Sequence, residues 1–213
     1  MLQSILKTGD TTLLHSTLAS NPELANSGVP LDDKTPALAH PLHRIADWVF
    51  TKDIPEEKGI ELASILLDFG ANIDGQDLKI LQDTPLIAAA SLYANQLGKY
   101  YLSKGANLRH QGCFGGTALH WAAWCGGVEL LDALLQKDLD LNQKCIEFTS
   151  TPLFWAVHGT YQDKNMERSA HLKCIELLVN AGADKNIPNL EGYTIFDLAE
   201  GDDEVFRILN HQN

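Results

Sequence analysis

Four side chains of ligand or acid-base type, His158, Asp163, Glu167 and His171, fall within fourteen positions of one another. Two imidazoles and two carboxylates are what a divalent metal or a proton shuttle would use. Their spacing matches no recognised zinc pattern, and solvated residues of a surface turn have the same composition. A metal-binding protein or an enzyme centred on His158 to His171 is therefore the alternative reading and not the expected one. His110, Cys113, His120 and Cys125 raise the same question upstream, but cysteine is more often a small buried hydrophobe than a ligand. The cysteines at 113, 125, 145 and 174 form no C-x-x-C pair and read as free thiols in a reducing cytoplasm. No G-x-S-x-G, Walker or H-E-x-x-H pattern occurs. We assign no catalytic residue, metal ligand or cofactor, and expect a chain that is not an enzyme.

The elements that would carry these side chains repeat one another. The segments His40-Pro41-Leu42-His43-Arg44-Ile45-Ala46, Thr84-Pro85-Leu86-Ile87-Ala88-Ala89-Ala90, Thr117-Ala118-Leu119-His120-Trp121-Ala122-Ala123 and Thr151-Pro152-Leu153-Phe154-Trp155-Ala156 are variants of one pattern, with a fainter copy at Thr194-Ile195-Phe196-Asp197-Leu198-Ala199. A second pattern answers it downstream: Phe69-Gly70-Ala71-Asn72, Lys104-Gly105-Ala106-Asn107 and Ala181-Gly182-Ala183-Asp184. Self-similarity at this period signals a repeat array.

These residues resemble the ankyrin motif, with its Thr-Pro-Leu-His-x-Ala opening and its Gly-Ala-Asp/Asn ending, over nearly the whole chain. The resemblance implies an all-α solenoid of antiparallel helix pairs with short β-hairpin tips. Local chemistry agrees. Thr84 and Thr151 can cap a helix, the following proline presets φ where an N–H would be orphaned anyway, and Gly70, Gly105 and Gly182 sit where a left-handed residue ends the second helix. Asp138 replaces that glycine in the fourth unit, which predicts a looser helix end there. Successive motif positions 41, 85, 118, 152 and 195 are 44, 33, 34 and 43 residues apart. Two units thus carry insertions, placed between their helices at 47–59 and 158–171.

About six units are expected within a single domain, 1–213: an N-terminal cap at 1–33, units at 40–82 and 150–191 with insertions, units at 83–115 and 116–149 without, and a C-terminal cap at 192–213. In the cap, Leu2, Ile5 and Leu6 form one apolar face and Leu13, Leu14 and Leu18 turn inward from a second helix begun by Asp10 or Thr11. Residues 27–39 make an overlong connection, and Glu204 to Leu209 close the array ahead of a polar tail at 211–213.

In the resembled family the motif histidine, here His43 and His120, hydrogen-bonds structurally between units, while hairpin tips and inner helices line a partner-binding face. Tips are ordinarily polar. Here the position three before the motif threonine is Leu81, Phe114 and Phe148, and the outer side of the inner helices carries Trp48, Leu92 and Trp124. We therefore expect an apolar, aromatic concave face of Trp48, Leu81, Leu92, Phe114, Trp124 and Phe148 that binds another protein. Trp121 and Trp155 occupy a position assigned to the core. Inserted segments of repeat arrays often serve recognition, and the two insertions are candidates for partner contact.

Composition sets the partner class. Sixteen Lys plus Arg against 28 Asp plus Glu give a formal charge of -12, which opposes the counterion release behind most nucleic-acid affinity and disfavours anionic membranes. Asp77, Asp83, Glu147 and Glu191 would steer a basic segment toward the apolar face. No apolar run is long enough to span a bilayer and the start lacks signal-peptide character, so a cytoplasmic monomer is expected. The expected function is a non-enzymatic protein-protein interaction module, an adaptor or inhibitor, with self-assembly as a further alternative.

Overall fold

Helix starts and stops follow the threonine, proline and glycine punctuation of the repeats. A computed structural model describes residues 1–32, 34, 37–75 and 81–210. Asp77 and the tail at 211–213 lie outside the described residues. The chain divides into two compact units, one of residues 1–79 with 83–107 and the other of residues 80–82 with 108–213.

The first unit opens with α1 (Leu2–Thr8) and α2 (Thr11–Ser20), separated by a left-handed Gly9 at φ 71°. Asp10 caps α2 by accepting from the Leu13 amide at 2.8 Å. Leu2, Ile5, Leu6, Leu14 and Leu18 are buried, whereas Leu13 is exposed. Leu13 fails to turn inward because it precedes Leu14 by one residue, a rotation of about 100° on a helix. A 3₁₀ turn (Pro22–Asn26) follows, and its Asn26 side chain donates to the Gly70 carbonyl and accepts from the Asn72 amide. The overlong connection contains a two-stranded antiparallel pair, β1 (Val29–Pro30) and β2 (Leu38–Ala39), with Val29 opposite Ala39.

Arg44 fastens this pair to α3 (Pro41–Phe50). Its guanidinium is buried, donates to the Val29 and Ala37 carbonyls at 2.9 and 2.8 Å, and meets Asp47 at 2.7 Å. Helices α4 (Glu56–Asp68), α5 (Pro85–Ser91) and α6 (Asn95–Ser103) complete the unit. Thr84 caps α5 through the Ile87 amide, and Gly70 and Gly105 are left-handed, both at φ 85°. Tyr101 is fully buried with its hydroxyl donating to the Leu42 carbonyl at 2.8 Å.

In the second unit, α7 (Ala118–Trp124), α8 (Val128–Leu135), α9 (Pro152–Gln162) and α10 (Arg168–Asn180) form two helix pairs, closed by α11 (Ile195–Leu198) and α12 (Asp203–Leu209). Thr151 caps α9 through the Phe154 amide. Helices α8 and α10 both end on right-handed caps, Gln136 and Ala181; a left-handed Gly182 follows the second, whereas neither Lys137 nor Asp138 after the first adopts positive φ. Gly159 brings α9 against α7: a Cβ there would run into the Trp124 carbonyl oxygen. The closing helix is tied by Asp202, which accepts from Tyr161 at 3.1 Å and from Arg168 at 2.6 Å.

The insertions are largely helix and not loop. They lengthen α3 and α9 to 10 and 11 residues, against 7 for α5 and α7, and α4 and α10 to 13 each. Trp48 is corrected with them. It is 1% exposed, and residues 51–55 fold back on the end of α3, with the Asp53 and Ile54 amides donating to the Trp48 carbonyl and Ile54 buried. A residue expected on an open face lies in the core.

Candidate functional site

The hairpin tips of the second unit are joined backbone to backbone. The Leu81 amide donates to Gln111, Glu147 to Phe114, and Leu190 to Phe148, at 3.1, 3.1 and 3.0 Å. These bonds hold the tips in a row and fix which side chains emerge from them. Phe114 sits in a 3₁₀ turn (Cys113–Gly115) at φ 57°, ψ 9°, a left-handed conformation that side chains larger than Asn seldom adopt. Gly115 follows it, also left-handed, at a point where any Cβ would collide with Ile146. The turn thereby leaves Phe114 39% exposed, with its ring against Phe148 (centroids 5.6 Å) and Trp121 (6.0 Å).

Behind these rings stand the tryptophans of α7 and α9. Trp155 meets Trp121 at 5.1 Å and 85° and Trp124 at 6.0 Å and 72°, and Trp124 meets His158 at 4.9 Å and 84°. Gly116 admits the Trp155 ring edge, which a Cβ would approach to 2.9 Å. Phe114, Trp121, Trp124, Phe148 and Trp155, with His158, Leu190 and Glu191, surround a cleft of about 490 Å³. That volume lies within the range of small ligand sites, and a mostly aromatic lining with few polar groups is typical of them.

The cleft is electrically simple. His158 is held below the usual imidazole value by burial, so it is neutral near pH 7. Glu191 is exposed and supplies the lining's carboxylate. No Lys or Arg is among the lining residues. Lys144, on a neighbouring tip, donates to the Pro188 carbonyl.

Of the residues expected to form one face, Phe114, Trp124 and Phe148 come together here. Leu81 is exposed on a tip at φ 70° but does not line the cleft, and Trp48 and Leu92 belong to the first unit, where Leu92 is half-buried at the end of α5. Trp121 and Trp155, assigned to the core, are cleft walls: Trp155 is buried at 5% exposure yet contributes to the lining. The repeat position alone gave no signal for this, since a leucine there packs inward and an indole is long enough to reach both the core and the opening.

The candidate ligands separate. Asp163 Oδ2 lies 3.3 Å from His171 Nε2 with both side chains 1% exposed, His158 packs on Trp124, and Glu167 is the exposed residue preceding α10. Burial, with Arg168 adding to it, lowers the His171 pKa against the opposing pull of Asp163. Among the described residues no group of three or more His, Cys, Asp or Glu is placed to hold a metal ion. His120 Nδ1 accepts from the Thr117 amide at 3.1 Å, so Nε2 carries the proton and donates to the Ser150 carbonyl at 3.2 Å. That is the structural role expected of the motif histidine.

A family description of three tandem ankyrin repeats matches residues 56–145, and that of a single ankyrin repeat matches 150–190. The chain is similar to the ankyrin repeat protein nuc-2 of Neurospora crassa, 27% identical over 128 residues, covering 60% of this chain and 11% of that protein. It is similar to the putative palmitoyltransferase ZDHHC13 of Danio rerio, 28% identical over 114 residues, covering 54% and 16%. It also resembles the palmitoyltransferase AKR1 of Lachancea kluyveri, 24% identical over 93 residues, covering 44% and 11%. The matches span no more than 16% of the length of these relatives. Among solved structures, EF0377, an ankyrin repeat protein, aligns with a TM-score of 0.71 at 25% identity, covering 100% of this chain and 97% of that one.

Proposed function

This chain belongs to the ankyrin-repeat family, and from that premise we propose that it is a non-enzymatic adaptor or inhibitor whose second unit grips a basic segment of a partner protein in the aromatic cleft. Ankyrin repeats are in general protein-protein interaction modules. The observation that carries the finer reading is the row of exposed tip side chains, Phe114, Ile146, Phe148, Leu190 and Tyr193, 39 to 70% exposed beside a tryptophan-walled cleft. Contiguous exposed apolar surface marks interaction sites, and buried tryptophans dominate their energetics. The formal charge of -12, with Glu147 and Glu191 exposed on the tips, favours a basic partner.

The transferase activity named for two relatives is not carried over, since what they share with this chain is 11 and 16% of their length. The test is affinity capture with wild type and with a Trp124→Ala/Phe114→Ala variant, followed by titration of the captured protein in purified form. The double variant is expected to weaken that binding by about 2 kcal/mol or more, roughly thirtyfold. Equal affinities would remove the cleft from the contact. Sedimentation at two concentrations distinguishes a cleft filled by a second copy, which would overturn the hetero-partner reading.

A further inference from the structure

The cleft's walls say what kind of side chain the partner inserts. We infer, on the reading that this cleft is the contact surface, that it is a receptor for an N-alkylated ammonium head group, a rounded cation carried on a flexible stem. Three observations lead there. The walls are aromatic, from Phe114, Trp121, Trp124, Phe148 and Trp155, and aromatic rings attract a cation through the negative charge of their faces. The Trp155 plane crosses those of Trp121 and Trp124 at 85° and 72°, so the rings do not form a flat stack and bound the space from more than one direction. Such crossed walls suit a rounded head better than a planar guanidinium, which stacks on a single ring.

The charges around the cleft point the same way. Glu191 is the carboxylate of the lining, no Lys or Arg lines it, and burial lowers the His158 pKa, so this imidazole adds no positive charge near neutrality. A neutral apolar anchor would gain from burial but nothing from this arrangement of charge. Of the other polar lining residues, Asn189 Oδ1 already accepts from the Glu191 and Tyr193 amides and the Ser150 hydroxyl is engaged with the Phe148 carbonyl, which leaves the three N–H donors of an unmodified ammonium short of acceptors, a cost that N-alkylation relieves.

The test uses the whole chain and three small probes, followed by the indole N–H resonances at constant ionic strength: choline, its neutral carbon isostere 3,3-dimethylbutan-1-ol, and ethanolamine. Choline should bind saturably in the millimolar range, about tenfold tighter than the isostere and tighter than ethanolamine. Glu191→Gln should weaken choline severalfold and leave the isostere unchanged, and Trp124→Ala should abolish choline binding. Isostere binding as tight as choline overturns the cation assignment, as does the absence of saturable choline binding. The comparison on wild-type protein decides the matter even where Trp124→Ala fails to fold. A captured partner that depends on Trp124 and Phe114, in a protein indifferent to choline, would overturn the ammonium receptor and leave the proposed function standing.

Discussion

His120 is fully buried, with both ring nitrogens committed to backbone groups, and burial pulls its pKa down to about 4. The folded chain therefore keeps this imidazole neutral where an unfolded chain, at about 6.5, takes up a proton. Its contribution is complete above pH 6.5 and is lost as pH falls toward 4, to the extent of about 3 kcal/mol for a shift of this size. His40, lowered to about 4 by burial and by His43, acts in the same direction. Urea midpoints at pH 7.5 and pH 5 should show the loss, and His120→Gln should flatten it. A midpoint independent of pH would mean that the Thr117 and Ser150 contacts do not hold the neutral ring. At the same scale, Gly159→Ala should destabilise by several kcal/mol, since the new methyl meets backbone at Trp124 and not a yielding side chain. A melting temperature within a degree or two of wild type would contradict that packing.

Element by element, the signals that were legible are those written in backbone chemistry. The threonine-proline starts of α5 and α9, the glycine stops at 70, 105 and 182, and the Asp10 cap all stand where their φ requirements and orphan amides put them. Thr151→Ala should cost about 1 kcal/mol in thermal unfolding, because the Phe154 amide then loses its acceptor. What could not be read was the direction taken by large side chains. Trp48 matches Trp124 neither in burial nor in placement: it lies in the core of a unit whose α3 and α4 are long, while Trp124 lines the cleft at the end of the shorter α7. Trp155 is buried as its repeat position implies, and the sequence did not reveal that it also walls the cleft, with its ring edge admitted by Gly116. The buried Asp163–His171 pair was visible as two residue types near one another, but its enclosure depends on how α9 and α10 run beyond the ordinary repeat length.

For the molecule as a whole, family membership and charge constrain function more than any single motif does. No helix among the described residues is long and apolar enough to cross a membrane. An excess of twelve negative charges favours encounter with basic partners, and that attraction is screened over about 8 Å at physiological ionic strength. Association rates with a basic partner should accordingly fall as salt rises from 50 to 300 mM while dissociation rates, set by the aromatic contacts, change little. Salt-insensitive association would detach the charge from recognition.

Selection of a basic segment by the second unit's aromatic cleft is open to test by peptide display against the whole chain, repeated with Trp124→Ala/Phe114→Ala protein of native circular dichroism. Enriched peptides are expected to carry net positive charge and to be lost with the double variant. Enrichment of acidic or uncharged peptides, or equal retention by the double variant, would contradict it.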